Sequence, residues 1–265
     1  MASTNGENTD VGQRIDALQA RVDKLEAESE IRKLHFKYGY YLDKCLYKET
    51  VDLFADNPDT YVQFLNGRFK GKSGVKRLYI DRFANNFVKG RNGPVHGFLL
   101  DHLQAQDIVD YVPNTNPPKA KARFRALMSA GTHESMGDKE TLPRGLRQWW
   151  EGGLYENEYI KEDGIWKIFR LRYYPFWHGL FDKGWQFTPE DYVPPFEKTT
   201  STGDPMGPDE LLKNDERLWP DTRVVPFHYP HPVTGKQVDE ADLRAPSLGT
   251  DPMQAKPARV IDDSF

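Results

Sequence analysis

Residues 153–174 read GLYENEYIKEDGIWKIFRLRYY, and this stretch decides the fold. Two β-prone runs, Tyr155 to Lys161 and Ile165 to Tyr173, flank Glu162-Asp163-Gly164. The Asp-Gly pair tolerates the positive φ that a tight hairpin needs, so the runs are predicted as adjacent antiparallel strands. Alternation puts Gly153, Tyr155, Asn157 and Tyr159 on one face of the first strand, and Leu154, Glu156, Glu158 and Ile160 on the other.

Upstream lie three more β-prone stretches, around Val95 to Leu100, Gln104 to Val109 and Ala122 to Ala130. A polar loop, Pro113 to Lys119, separates the last two, and together they read as an antiparallel meander. Further back, Thr60 to Phe64 and Arg68 to Lys70 flank Asn66-Gly67, another hairpin signal. Ser73 is expected to cap a helix carrying Val75, Leu78, Tyr79, Phe83 and Phe87 at helical spacing, closed by Gly90 to Gly93. An earlier helix is apolar on two sides, with Phe36, Tyr40, Asp43 and Tyr47 on one face and Leu34, Tyr38, Tyr41 and Cys45 on another. Helices grouped before a run of long strands predict an α+β cone: helices packed on a curved antiparallel sheet that encloses a pocket.

Three regions follow. Residues 1–27 hold a polar, disordered start over 1–10 and then Val11, Ile15, Leu18, Val22 and Leu25 at alternating four- and three-residue spacing. A stripe of roughly two heptads is marginal as an isolated helix. It is therefore expected to pack on the body or on a sister subunit, and a homo-oligomer, dimer or trimer, is anticipated. Residues 28–175 form the pocketed domain. Residues 176–265 carry prolines throughout and read as an arm without regular ladders, whose aromatics predict docking to about Phe196.

Composition narrows the function. The chain has 265 residues, 38% hydrophobic and 13% aromatic, enough for one sizeable core. A net charge of −4 with no basic stripe suggests neither nucleic acid nor an anionic membrane as partner. No apolar run spans a bilayer and the start is polar, so a cytoplasmic location is expected. The single cysteine, Cys45, forms no internal disulfide and no thiolate metal site. His228 and His231 flank Pro230 without a third ligand nearby, and no metal site is assigned to them. Phosphate-binding loops, dinucleotide fingerprints and nucleophile elbows are missing from the sequence, so acid–base side chains in a pocket, with no cofactor, are expected to carry any chemistry.

The strings EIRKLHFKYGYYLDKCLYKETVDLFAD (30–56), GPVHGFLL (93–100) and the 153–174 hairpin together resemble the NTF2-like superfamily, SnoaL-like branch, over roughly residues 28–175. The order of motifs is similar to the scytalone dehydratases, cofactor-free enzymes that remove water from a hydroxylated bicyclic substrate with tyrosine, aspartate and histidine. The resemblance puts Asp43 and His96 at the positions of the aspartate and one histidine. Leu42 stands where that family keeps a tyrosine, with Tyr40 and Tyr41 close by, and His133 is the nearest counterpart of its second histidine. The N-terminal helix, the extra length and the aromatic makeup are also similar to the bacterial diarylpropane formaldehyde-lyases, which strip formaldehyde from lignin-derived aromatic dimers without a cofactor.

On this reading Asp43 and His96 move protons. A carboxylate among aromatics is driven toward accepting one, and an imidazole exchanges protons near neutrality. Tyr155 and Asn157 are expected to orient or stabilise oxygen. Tyr40, Tyr41 and Tyr61 are candidate pocket residues. His133-Glu134 and Arg123/Arg125 lie on or after the third meander stretch, where Arg125 turned inward could hold a phenolate or carboxylate with His133 nearby as a substrate-binding candidate, and Trp150 could stack on an aromatic ligand. The expected activity is a cofactor-free lyase on a small hydroxylated aromatic compound, releasing formaldehyde from a diarylpropane-type dimer. A dehydratase or polyketide cyclase/isomerase, and a noncatalytic ligand-binding module, are the rivals on the same scaffold.

Overall fold

The computed structural model describes residues 4–64, 66–136, 148–188, 201–212, 218–219, 222–244 and 259–260. One long helix, α1 (Thr4–Asp43), leads into a short α2 (Tyr47–Asp52), then strands β1 (Tyr61–Phe64) and β2 (Gly67–Lys70). Helix α3 begins at Gly71–Lys76, continues through a π-helical stretch, Arg77–Ala84, and ends as Asn85–Val88. Four long strands follow: β3 (Phe98–Val112), β4 (Lys119–Thr132), β5 (Gln148–Glu162) and β6 (Ile165–Leu180). A two-residue strand, β7 (Glu210–Leu211), completes a seven-stranded sheet of order β3-β4-β5-β6-β1-β2-β7. All pairs are antiparallel except β1 on β6. The sheet does not close, and the helices cover its inner face: the expected α+β cone. No helix among the described residues is long and apolar enough to cross a membrane.

The inner face supplies the core. Ala120, Ala122, Phe124 and Ala126 of β4 point inward and are buried, as are Tyr155 and Tyr159 of β5. From α1, Ala27, Ile31, His35, Tyr38 and Leu42 are buried, a stripe at four- and three-residue spacing. Three ties then lay α1 along β3: Arg32 pairs with Asp107, Gly39 packs against Gln104, and Asp43 meets His102. A Cβ at Gly39 would lie 2.5 Å from the end of the Gln104 side chain, which would have to turn aside.

Several boundaries differ from the sequence reading. The helix starts at Thr4, inside the stretch expected to be disordered, and runs unbroken past residue 27. Helix α3 starts at Gly71 rather than at a Ser73 cap. The first two meander stretches are one strand, β3, bent by a bulge between Ala105 and Ile108 where Gln106 adopts φ +51°. Strand β6 continues through Pro175 to Leu180. Pro175 sits where the β5–β6 register slips at Gly152/Gly153, a bulge that tolerates the missing N–H.

Parts of the arm dock on the body. Asp209 accepts from the Lys70 backbone N–H and pairs with Arg77, and Trp219 donates its backbone N–H to Phe176. On the outer sheet face, buried Arg123 pairs with buried Glu156 and donates to the carbonyls of Val225 and Pro226, while its guanidinium lies over Phe227 and Tyr229. Docking was expected to end near Phe196, yet these contacts lie well beyond it; residues 189–196 fall outside the described set.

Candidate active site

The cone encloses a cavity between the inner face of β3–β6 and helices α1 and α3. Its helical wall carries Tyr38, Leu42, Tyr79, Phe83 and Phe87, and β1 adds Val62 and Phe64. The sheet contributes His102 from β3, Met128 from β4, Trp149, Glu151 and Tyr155 from β5, and Tyr173 from β6. Hydrocarbon and ring faces dominate, so the few polar atoms exposed to the cavity act at low dielectric.

His102 and Asp43 form the first polar pair. One Asp43 oxygen, Oδ1, accepts both the His102 backbone N–H, at 3.0 Å, and its ring Nδ1, at 2.7 Å. A carboxylate only accepts, so Nδ1 carries a proton and Nε2 is left for exchange. Both side chains are 9% exposed.

Tyr173 and Glu151 form the second. The Tyr173 hydroxyl donates to Glu151 Oε1 at 2.7 Å, and both residues are buried. A Cβ at Gly153 would lie 2.7 Å from the Tyr173 hydroxyl, so glycine leaves the space through which this phenol crosses the strand. His102, Met128 and Glu151 stand opposite one another across β3, β4 and β5. Directly opposed residues share a face, and two strand spacings separate the outer two by about 10 Å at the backbone. Imidazole and carboxylate therefore look across Met128 from opposite sides of the cavity.

Beside Tyr173, whose ring lies 4.8 Å from that of Tyr155, is a phenol cluster. The Tyr38 and Tyr79 hydroxyls are 2.9 Å apart, and Tyr38 also hydrogen-bonds Tyr155. Burial pushes the Tyr38 phenol up to about 12, the hydrogen bonds to Tyr79 and Tyr155 opposing it. Burial raises Tyr79, Tyr155 and Tyr173 well above the usual phenol range, the neighbouring phenols or Glu151 adding to the effect. These hydroxyls stay protonated at neutral pH and act as donors.

Of the residues singled out from sequence, Tyr155 lines the cavity and Asp43 stands directly behind His102. His96 is corrected: it is exposed in a turn before β3, and His102, six residues on, holds the place beside Asp43. Asn157 faces inward but below the cavity, with its amide committed to Tyr159, His35 and the Arg172 backbone. Tyr40 is 74% exposed and Tyr41 half-buried; Tyr38 occupies the inner stripe of the helix instead. Tyr61 turns to the opposite face from Val62, under the guanidiniums of Arg68 and Arg170. Arg125 lies exposed on the outer face of β4. His133 is exposed after β4, bonded to Ser135 at 2.8 Å, with Glu134 exposed beside it. Trp150 faces outward against Phe181 and Trp185, and Trp149 takes the inner position. His228 joins Glu156 and Asp110 under the arm, and His231 caps a turn; no metal-binding cluster of His, Cys, Asp or Glu occurs among the described residues.

The missed residues carried a signal. In Leu99-Leu100-Asp101-His102-Leu103, Leu99 and Leu103 are 52% and 63% exposed while Leu100 and His102 line the cavity. Alternation in phase with Leu100 would have selected His102.

Fold and cavity together define a cone-shaped α+β pocket protein with acid–base side chains on opposing walls. The chain belongs to the SnoaL-like domain family, whose pattern matches residues 23–172, within the NTF2-like superfamily. No curated protein matches the sequence. Among solved structures, a candidate scytalone dehydratase from Novosphingobium aromaticivorans is similar at 20% identity, covering 64% of this chain and 96% of its own, with a TM-score of 0.45. A type 2 hexachlorocyclohexane dehydrochlorinase (LinA) is similar at 17% identity, over 65% and 99% of the two chains, with a TM-score of 0.46. The type 3 enzyme from Novosphingobium barchaimii is similar at 16% identity, over 64% and 99%, with a TM-score of 0.45.

Proposed function

We propose that this chain is a lyase for a hydroxylated aromatic small molecule, removing water and then formaldehyde from a diarylpropane-type diol by proton transfer among its own side chains. The observation that carries the reading is the His102–Asp43 pair facing the Tyr173–Glu151 pair across one aromatic cavity. A substrate ring laid over Met128 presents its para-hydroxyl to Tyr173 and its benzylic carbon to His102.

The steps balance without an added electron carrier. The phenol proton passes through Tyr173 to Glu151. The imidazolium of His102, stabilised by Asp43, protonates the benzylic hydroxyl. The C–O bond breaks, water leaves, and a quinone methide forms. Neutral His102 then takes the proton of the terminal hydroxyl, the adjacent C–C bond breaks to give formaldehyde, and its electron pair restores the aromatic ring. Glu151 returns its proton through Tyr173. Donation from Tyr38 and Tyr155 stabilises negative charge on substrate oxygen, and each correctly placed proton transfer is worth about 10²–10⁴ in rate.

The cavity measures about 40 Å³ in the state described, room for water rather than a ring. Binding therefore requires the cavity to widen. The test is incubation of purified protein with a para-hydroxylated diarylpropane diol, measuring product mass and released formaldehyde. Loss of water alone makes the protein a dehydratase, and binding without turnover makes it a ligand-binding module.

A further inference from the structure

Residues 10–26 of α1 are exposed throughout, and Ala27 is the first buried residue. Seventeen helical residues without tertiary contact are close to the limit at which a helix holds in water, and Gly12 weakens this one further by about 1 kcal/mol. Yet Val11, Ile15, Leu18, Val22 and Leu25 line one side of it, each between 45% and 65% exposed. Such a stripe needs a partner.

The heptad phase names the partner. With Ile15 and Val22 at the a positions, Val11, Leu18 and Leu25 fall at d. β-Branched residues at a with leucine at d favour a parallel two-stranded coil. In that arrangement a g residue meets the e′ residue five places further on in the other helix, so Arg21 meets Glu26 of the second copy, twice by symmetry. Neither has a partner within its own helix among the described contacts, whereas Lys24–Glu28 and Gln19–Asp23 are paired there. An antiparallel pairing that meshes the same layers sets Arg21 against its own copy. The stripe is thus self-complementary in shape and charge. From this we infer that residues 11–25 join two copies of the chain as a parallel, in-register coiled coil.

The inference rests on α1 alone and is independent of the catalytic reading. Light scattering on the full chain across a concentration series is expected to approach twice the 30.6 kDa monomer mass. The double variant Leu18→Asp/Leu25→Asp should remain monomeric at every concentration, with its circular dichroism showing an intact body. Val22→Cys, at an a position, should oxidise to a disulfide-linked dimer, since a–a′ backbones in a parallel coil lie within disulfide reach. A wild-type monomer up to the solubility limit, a trimer, an unchanged dimer in the double variant, or a dimer that Val22→Cys fails to cross-link would each overturn it.

Discussion

Asp43 Oδ1 receives two hydrogen bonds from one residue, the backbone N–H and the ring Nδ1 of His102, so helix α1 fixes both the strand and the imidazole at a single atom. Replacing Asp43 by Asn should leave the fold in place but remove the charge that stabilises an imidazolium. His102→Ala removes the proton carrier itself. Each should lower turnover by about 10²–10⁴, whereas His96→Ala, in an exposed turn, should keep wild-type rates. Steady-state kinetics on the three variants checks this.

The second pair is open to a subtler change. Gly153→Ala adds a methyl 2.7 Å from the Tyr173 ring and hydroxyl and from the Tyr174 carbonyl, so both the phenol and the facing strand must give way. Turnover should fall roughly as far as in Tyr173→Phe, although Gly153→Ala deletes no polar group. Tyr173→Phe also leaves a buried Glu151 oxygen short of a donor and should cost about 1–3 kcal/mol of stability in urea unfolding.

Acid sensitivity is expected from His35. Burial lowers its imidazole to about 3, and its ring stacks on Phe124 at 3.7 Å between centroids. The unfolded chain binds this proton near the ordinary value of 6.5, while the folded chain refuses it until about 3. The unfolded state therefore holds the extra proton between those limits. Stability is full above about 6.5 and falls as pH drops through the window, by up to about 1.4 kcal/mol per pH unit from this group. Urea midpoints measured from pH 7 to 4 should decline less steeply in His35→Phe than in wild type.

The arm is held by a buried ion pair. Arg123→Ala leaves buried Glu156 with His228 as its remaining partner and frees the carbonyls of Val225 and Pro226. A loss of about 1–3 kcal/mol is expected, with proteolytic cleavage near residues 222–229 appearing before the body is cut. Equal protection of the arm in variant and wild type would contradict this role.

The α+β cone was legible because its signals are local: Asp163-Gly164, both at positive φ, fixes one hairpin, Asn66 marks a second whose partner strand already begins at Gly67, and the apolar spacing from Leu78 to Phe87 fixes a helix. Which side chains enter the cavity was not, because strand alternation flips with a one-residue change of register. Trp150 was read inward and Trp149 is; Tyr61 was expected in the pocket and Val62 lines it. Bulges at Gln106 and Pro175 let β3 and β6 run on where sequence signals stop them. His102 escapes the sequence reading for that reason: it falls in the gap between the two stretches, Val95 to Leu100 and Gln104 to Val109, that the bulged strand joins.

The most direct measurement pairs wild type with His102→Ala on a para-hydroxylated diarylpropane diol, following substrate loss, formaldehyde and product mass in one reaction. The account predicts formaldehyde and a product lighter by water plus formaldehyde, in equal amounts, from wild type and almost none from the variant. Formaldehyde released at the same rate by both would contradict it, as would a wild type that binds the diol and leaves it unchanged.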